Sequence, residues 1–191
     1  MRGKAGELSP DAAFRSWLNA DSVISRLTAA FNMAAHGKVP REILTPFAPA
    51  GKFAVMKKGG KTLVDPAGYK RYDKIAAMIG PIDAVAAAKV FTGLLPLFDA
   101  AQRSLGEPNT SAREALFTAS RELLSAPRPE GDLVVLSGKK GIGWNYADPR
   151  LEGLSDAQKQ LLRMGPENQA VFQAKLRAIV LALGATGLPQ P

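Results

Sequence analysis

The chain has 191 residues and a formal net charge of +8 at pH 7, with 46% hydrophobic and 22% charged residues, values that are ordinary for a globular domain. It contains no cysteine, which excludes disulfides, thiolate nucleophiles and cysteine-based metal sites, and its single histidine, His36, excludes a metal site built on two or three histidines of one chain. A chain of this length buries enough surface to hold one core without disulfides or metal ions.

The N-terminal part of the chain carries strong helix signals. Ser9-Pro10-Asp11 supplies an N-cap, a proline at the first helical position and an acidic residue in the first turn, which together predict a helix start. A second helix follows, with apolar residues at helical spacing from Ile24 to Ala34, and His36-Gly37 predicts its end. His36 is best explained as a residue at a helix C-terminus, where the helix dipole favours it.

A proline-rich connector over residues 39–51 leads to a β-hairpin signal. The residues from Phe53 to Val64 alternate around Gly59-Gly60, which can take the positive φ of a tight turn.

Two helices are then expected before the middle of the chain. Asp65-Pro66 predicts the start of the first, and Gly80 its end. The second should run from about 82 to about 105, with a kink or break near residues 92–95, because Pro96 cannot donate a backbone hydrogen bond.

Capping boxes mark helices in the second half. Ser111-x-x-Glu114 and Ser155-x-x-Gln158 each pair an N-cap hydroxyl with an N3 side chain. Gly165-Pro166 predicts the start of a last amphipathic helix, which Gly184 ends.

A second hairpin is predicted over residues 133–136 and 142–146. The Gly-rich, basic stretch 138–143 superficially suggests a phosphate-binding loop, but no helix follows it, so a hairpin turn explains it better. Trp144 and Tyr146 lie on one face of the second strand, where we expect them to cover the core.

These elements predict a mainly α, α+β fold: a helical bundle-like single domain over residues 9–184 with two short β-hairpins. We expect flexible tails at 1–8 and 185–191. No apolar run in the sequence approaches the ~20 residues that a spanning helix needs, so we expect no transmembrane segment in this chain, and the N-terminal residues lack a signal peptide.

The stretch WNYADPRLEGLSDAQKQLLRMGPENQAVFQAKLRAI, at 144–179, resembles the DUF3014 family of uncharacterised proteobacterial proteins, with support from FAPAGKFAV, DPAGYKRYD and LLPLFD. The resemblance implies an N-terminal membrane anchor and linker upstream of the domain, hence a periplasmic location. This chain begins almost at the domain, so the location is periplasmic if an anchor was removed and cytoplasmic if none exists. The family has no established catalytic residues to carry over.

Two polar clusters are candidate ligand or partner sites. Arg163, Asn168 and Gln169 flank Met164-Gly165-Pro166, where free N–H groups at the start of the last helix favour an anion. The alternative is internal: Arg163 pairs with an acid such as Asp148, and Asn168 ties down a loop.

The second cluster is Tyr69, Arg71 and Tyr72, whose two aromatic rings are three residues apart on one helical face and can pack together. Ligand stacking competes there with a core role.

A basic patch is the third candidate surface. It comprises Lys52, Lys57, Lys58, Lys61, Lys70 and Lys74. The patch suits an acidic partner, an anionic surface or nucleic acid. The favoured alternative is a solvated hairpin edge, whose lysines protect it from aggregation.

The absence of a catalytic constellation favours a non-enzymatic interaction or structural domain that binds a protein partner without a cofactor. The family resemblance implies that this domain is associated with the bacterial cell envelope. The alternatives are a nucleic-acid-binding protein, which lacks a recognised reading motif, and a small-ligand binder with an anion site near Arg163 and Asn168.

Overall fold

A computed structural model describes residues 22–43, 45, 48–138 and 141–190; the helix start predicted at Ser9–Asp11 and the N-terminal tail lie outside them. Within these residues the chain forms seven α-helices, one 3-10 helix and two separate two-stranded antiparallel sheets, which confirms the mainly α, α+β fold. The elements are α1 (Val23–Ala35), β1 (Val55–Lys58), β2 (Lys61–Val64), the 3-10 helix (Pro66–Tyr72), α2 (Asp73–Ile79), α3 (Ala84–Ser104), α4 (Ala112–Leu124), β3 (Val135–Ser137), β4 (Trp144–Tyr146), α5 (Pro149–Glu152), α6 (Asp156–Leu162) and α7 (Pro166–Ala182).

The largest core cluster lies among the helices α1, α3, α4 and α7. Phe91 and Phe98 of α3 are buried with ring centroids 4.9 Å apart, and Phe31 of α1 packs against both. Val180 of α7 is fully buried in the same cluster. Each helix brings its apolar stripe to this centre, as the helical periodicity of the sequence requires.

Helix α3 continues through Pro96 without interruption, so the predicted break near residues 92–95 is wrong. The missing hydrogen bond falls on the outside of the bundle, since Thr92, Gly93 and Pro96 are all exposed. Water can therefore hydrate the freed carbonyl group, and the proline costs less than it would inside the core.

Helix α3 is also long and apolar enough to cross a membrane, with a mean hydropathy of 1.5 over its best window. The expectation of no transmembrane segment in this chain stays a prediction. Length and composition are weak evidence by themselves, because core helices of soluble proteins meet the same test. In this structure α3 packs against α1, α4 and α7.

The two hairpins lie side by side. Val55 pairs with Val64 in the first and Val135 with Tyr146 in the second. A bridge between Leu63 and Val134 joins them. Their inner faces and Trp144 form a second core cluster, as predicted for Trp144 and Tyr146.

The segment from Asp65 to Ile79 was predicted as one helix and is instead two. Its first part is a 3-10 helix, and α2 begins only at Asp73. The short helix α5, which Asp148 caps, was not predicted.

Residues beyond α7 pack on the bundle. Ala185 is buried in the helical core and donates its N–H to Val180 at 2.9 Å, while Leu188 packs against the same cluster. The expected flexibility of residues 185–191 concerns motion and stays a prediction, as does the domain boundary at 9–184.

Candidate functional site

The Tyr69 side chain lies at the corner where α6 ends and α7 begins. Asp65 caps the 3-10 helix by accepting the Ala67 N–H at 2.9 Å, which fixes the turn that carries Tyr69. Gly165 enters α7 with φ 80° and ψ 161°, and a Cβ there would lie 2.4 Å from Tyr69 Cγ. The aromatic ring therefore fills the space beside Gly165, where the sequence predicted an open anion site.

Asn168 is buried and holds this corner together. Its Nδ2 donates to the Tyr69 carbonyl at 3.1 Å, to Asp73 Oδ1 at 3.0 Å and to the Met164 carbonyl at 3.1 Å. These contacts join the 3-10 helix to the start of α7. The amide is thus engaged in the internal role that the sequence left as the alternative.

Gln169 is equally internal, with 1% of its surface exposed. Its Nε2 donates to the carbonyls of Ala126 and Pro127, and Gln173 Nε2 donates to those of Leu123 and Ala126. Gln158 Nε2 donates to the Glu122 carbonyl. Carbonyls at a helix C-terminus lack intrahelical partners, so three glutamines from α6 and α7 satisfy the end of α4 and the residues after it.

Arg163 does not pair with Asp148, whose carboxylate instead accepts from Arg150 at 2.8 Å. The Arg163 guanidinium carbon lies 6.0 Å from the centroid of the Phe53 ring. The guanidinium carbon of Arg71 lies 5.7 Å from the same ring. The structure thus brings together two arginines from the two predicted clusters. We call Phe53, Arg71 and Arg163 the arginine cluster.

The two tyrosines do not pack together as predicted. Tyr69 belongs to the hairpin core, whereas Tyr72 is buried in a separate cluster with Leu161 and Met164. The cause is the 3-10 helix, whose geometry differs from the α-helix that the spacing assumed. Tyr72 also receives a hydrogen bond from Gln160 Nε2 at 2.9 Å, and Arg71 lies 5.0 Å from its ring centroid.

Near the arginine cluster, two buried polar atoms have no hydrogen-bond partner among the residues that the structure describes: Arg71 Nε and the Tyr146 hydroxyl. Burial raises the pKa of Tyr146 to about 12, against a smaller opposing effect of the Arg163 charge. Burial also raises the pKa of Tyr69. Both phenols are therefore neutral at physiological pH and can donate hydrogen bonds.

A cleft of about 1100 Å³ lies on the other side of Tyr69. One wall carries Tyr69, Lys70 and Asp73, and the facing wall is the irregular segment 127–133. Asn168 and Gln169 line its floor. Three of the six predicted site residues thus meet at one cleft, while Arg71 and Arg163 belong to the arginine cluster and Tyr72 to the core.

The six lysines of the basic patch are all exposed. Lys58 pairs with Asp132 at 2.9 Å, and both side chains remain more than half exposed, so the pair adds little stability. Lys70 is the member of the patch that lines the cleft.

Among the residues that the structure describes, no group of three or more His, Asp or Glu side chains could hold a metal ion. His36 lies at the end of α1, with Nδ1 2.8 Å from the Asn32 carbonyl oxygen, which fits the predicted helix C-terminus.

Phe53 and Gln173 were not predicted as site residues from the sequence, and Gln158 was predicted only as part of a capping box. In the sequence Phe53 resembles an ordinary strand residue, because the arginines that lie near it in the structure are distant in the chain. A spacing of four between Gln169 and Gln173 places both on one face of α7, and this was the one available signal for the glutamines.

The chain matches a known protein family. The model of DUF3014, described as a protein of unknown function, matches residues 23–180. No curated protein and no solved structure matches the chain.

Proposed function

Since the chain belongs to DUF3014, a family of unknown function, we propose a function from its geometry: the domain binds an extended segment of a partner protein in the cleft. The proposal rests on the wall formed by residues 128–132. The backbone N–H groups of Arg128, Glu130, Gly131 and Asp132 make no hydrogen bond in the described structure.

This wall is irregular, with a bend at Gly131 (φ 79°), and leads into the paired strand β3. Val64 N–H donates to the Leu133 carbonyl at 2.9 Å, and Leu63 bridges to Val134. A segment with free backbone groups beside an existing sheet is the usual template for strand addition, in which the ligand's main chain supplies the affinity. The volume of the cleft also exceeds the range of about 300–1,000 Å³ that is typical of small-molecule sites.

Buried glutamines hold the start of this wall. Gln169 and Gln173 donate to the carbonyls of Ala126 and Pro127. The wall is therefore anchored before a ligand arrives, which reduces the entropy lost on binding.

The opposite wall offers an aromatic and a basic contact, in a cleft that is also lined by Arg128 and by the acidic residues Glu130, Asp132 and Glu167. Tyr69 offers an aromatic surface, and Lys70 is exposed beside it. Asp73 is already hydrogen-bonded to Asn168. The remaining lysines of the basic patch lie outside the cleft and would attract a partner with acidic residues flanking the bound segment.

The test begins with selection of binding peptides from a random peptide library, followed by calorimetric titration of the selected peptide. Glu130→Pro removes a backbone donor, and Glu130→Ala removes the same side chain but keeps the donor. We expect the proline variant to bind at least about tenfold more weakly, equivalent to one lost hydrogen bond. Equal affinities for the two variants would contradict strand addition.

A second pair of variants locates the charge effect. Lys70→Glu should weaken binding strongly, whereas Lys57→Glu, on the hairpin, should weaken it only as a remote charge does. If both changes reduce the affinity for the peptide equally, and salt removes both reductions, the attraction comes from the whole basic patch and not from the cleft.

We also propose that the partner is a component of the cell envelope. The support is the upstream anchor that the family resemblance implies. Fractionation of the native bacterium, with an antibody against the domain, tests this: recovery with the cytosol contradicts it.

Nucleic acid is the second candidate, supported by the net charge of +8 and the exposed lysines. Fluorescence polarisation with labelled duplex DNA and single-stranded RNA at two salt concentrations separates the two proposals. Specific binding requires a Kd well below micromolar and a steep salt slope.

A further inference from the structure

The arginine cluster places two positive charges around one aromatic ring without a counter-charge. Arg71 and Arg163 both approach Phe53 within about cation–π distance. Within the described part of the chain, neither guanidinium makes an ion pair or donates a hydrogen bond. We propose that Arg71 and Arg163 together bind an oxyanion, the carboxylate or phosphate group of a ligand.

The nearby acids are already engaged elsewhere. Glu152 accepts the Tyr146 N–H at 2.8 Å, and its other oxygen lies 3.5 Å from Lys159 Nζ. Asp73 accepts from Asn168. Among the residues that the structure describes, no carboxylate lies within salt-bridge distance of either guanidinium, and an external anion would balance their charge.

Unsatisfied buried donors support this conclusion independently of the charge. Arg71 Nε is buried without an acceptor. The Tyr146 hydroxyl is also unpartnered, on a side chain that is 6% exposed, and it lies close enough to Arg163 to feel its charge. Buried polar groups in native proteins nearly always have hydrogen-bond partners. These two atoms therefore indicate a partner that the described residues do not supply.

The residue type indicates the ligand class. A guanidinium presents several donors in a rigid plane that matches the two oxygens of a carboxylate or phosphate. The Phe53 ring lies 5.7 and 6.0 Å from the two guanidinium carbons, a distance at which cation–π attraction favours both positions before binding. Both arginine side chains are partly exposed, so a ligand can reach them from solvent.

The site does not depend on the peptide-binding proposal. Neither Arg71 nor Arg163 lines the cleft. A failure to bind peptides would therefore leave the anion site intact, and the reverse also holds.

Nuclear magnetic resonance of protein carrying ¹⁵N-labelled arginine tests the proposal, because each Nε–H gives its own signal. We would titrate it separately with sodium phosphate, sodium acetate and sodium chloride at matched ionic strength. We expect the Arg71 and Arg163 signals to shift saturably with phosphate, with acetate or with both, and not with chloride. The anion that produces the shift identifies the ligand group.

Lysine variants provide the specificity control. Arg71→Lys and Arg163→Lys keep the charge but lose the planar donors, and each should weaken anion binding about tenfold or more. Arg150→Lys, at an exposed arginine paired with Asp148, should leave it unchanged. Absence of a saturable shift in the wild-type protein overturns the proposal, as does a shift that survives both lysine changes. The wild-type titration decides even if a variant fails to fold.

Discussion

The Tyr69 ring lies so close to the Gly165 backbone that a Cβ on Gly165 would come within 2.4 Å of Tyr69 Cγ. Gly165 also has φ 80° and ψ 161°, a region that is essentially restricted to glycine. Gly165→Ala must therefore displace Tyr69 and strain the backbone. We expect it to lower the free energy of unfolding by about 3 kcal/mol or more in urea denaturation.

Gly184→Ala is the matched control for this change. Gly184 also has a positive φ, 86°, but a Cβ there would meet no atom within 4 Å. Gly184→Ala should lower the free energy of unfolding only through backbone strain, by about 1–2 kcal/mol. Equal losses for the two variants would mean that contact with Tyr69 is unimportant.

Short-range signals in the sequence located the helix starts well. Ser111 and Ser155 form the predicted capping boxes, with both reciprocal hydrogen bonds present. Gly59 and Gly60 turn the first hairpin with φ 57° and 74°. These features succeed because each depends on residues within a few positions of one another, where side-chain and backbone chemistry decide the conformation.

The candidate site could not be assembled from the sequence in the same way. Arg71 and Arg163 meet only because two distant segments both pack against Phe53. Gln169 and Asn168 looked like ligand-binding residues, but their amides satisfy backbone carbonyls across the fold. The acceptor that a polar side chain reaches depends on tertiary packing, and the neighbouring residues in the sequence do not predict it.

Gln173 tests whether the glutamine side chains that donate to carbonyls at the end of α4 stabilise the fold. Its Nε2 donates to the carbonyls of Leu123 and Ala126, both at 3.0 Å. Gln173→Leu removes these two hydrogen bonds, but the Ala126 carbonyl keeps the Gln169 Nε2 donor at 3.3 Å and the Leu123 carbonyl keeps the Ala126 N–H at 3.4 Å. We therefore expect a loss of about 0.5–1.5 kcal/mol in the free energy of unfolding, measured in urea.

Gln173→Glu is the control that keeps the shape. An ionised carboxylate cannot donate to the carbonyls, whereas a protonated one can donate once. Its pKa in the folded state should therefore be raised, and the variant should be less destabilised at pH 4 than at pH 7. A loss independent of pH would argue that the amide acts through packing alone.

The capping box at Ser111 predicts a pH effect. The Ser111 N–H and hydroxyl donate to the Glu114 carboxylate at 3.0 and 2.9 Å, and these bonds lower the Glu114 pKa. Because the folded-state pKa lies below the unfolded one, the contribution of Glu114 is present above the unfolded pKa and lost as pH falls through the folded pKa. Thermal melts of the wild type and Glu114→Gln should therefore differ at pH 7 and converge in acid. A constant difference would contradict the pKa shift.

Tyr146 and Tyr72 are both buried, but only Tyr72 has a partner for its hydroxyl. Removing an unpartnered hydroxyl relieves a desolvation cost, whereas removing a hydrogen-bonded one leaves Gln160 unpaired. We expect Tyr146→Phe to be neutral or stabilising and Tyr72→Phe to cost about 1 kcal/mol in urea denaturation. Equal losses would indicate that the Tyr146 hydroxyl has found a partner, such as a buried water molecule.

The same tyrosine should limit stability in alkali. Burial raises the pKa of Tyr146 from 10.0 to about 12. Between these values the unfolded chain releases the proton while the folded chain keeps it. The contribution of Tyr146 to the free energy of unfolding is therefore fully present below pH 10 and is lost as pH rises toward 12. The loss should approach about 2 kcal/mol. In Tyr146→Phe this part of the decline disappears, while the part due to Tyr69, whose pKa is also raised, remains. The free energy of unfolding of the two proteins should be measured in urea from pH 9 to pH 11.5. If it declines equally in both, Tyr146 has the same pKa in the folded and unfolded states.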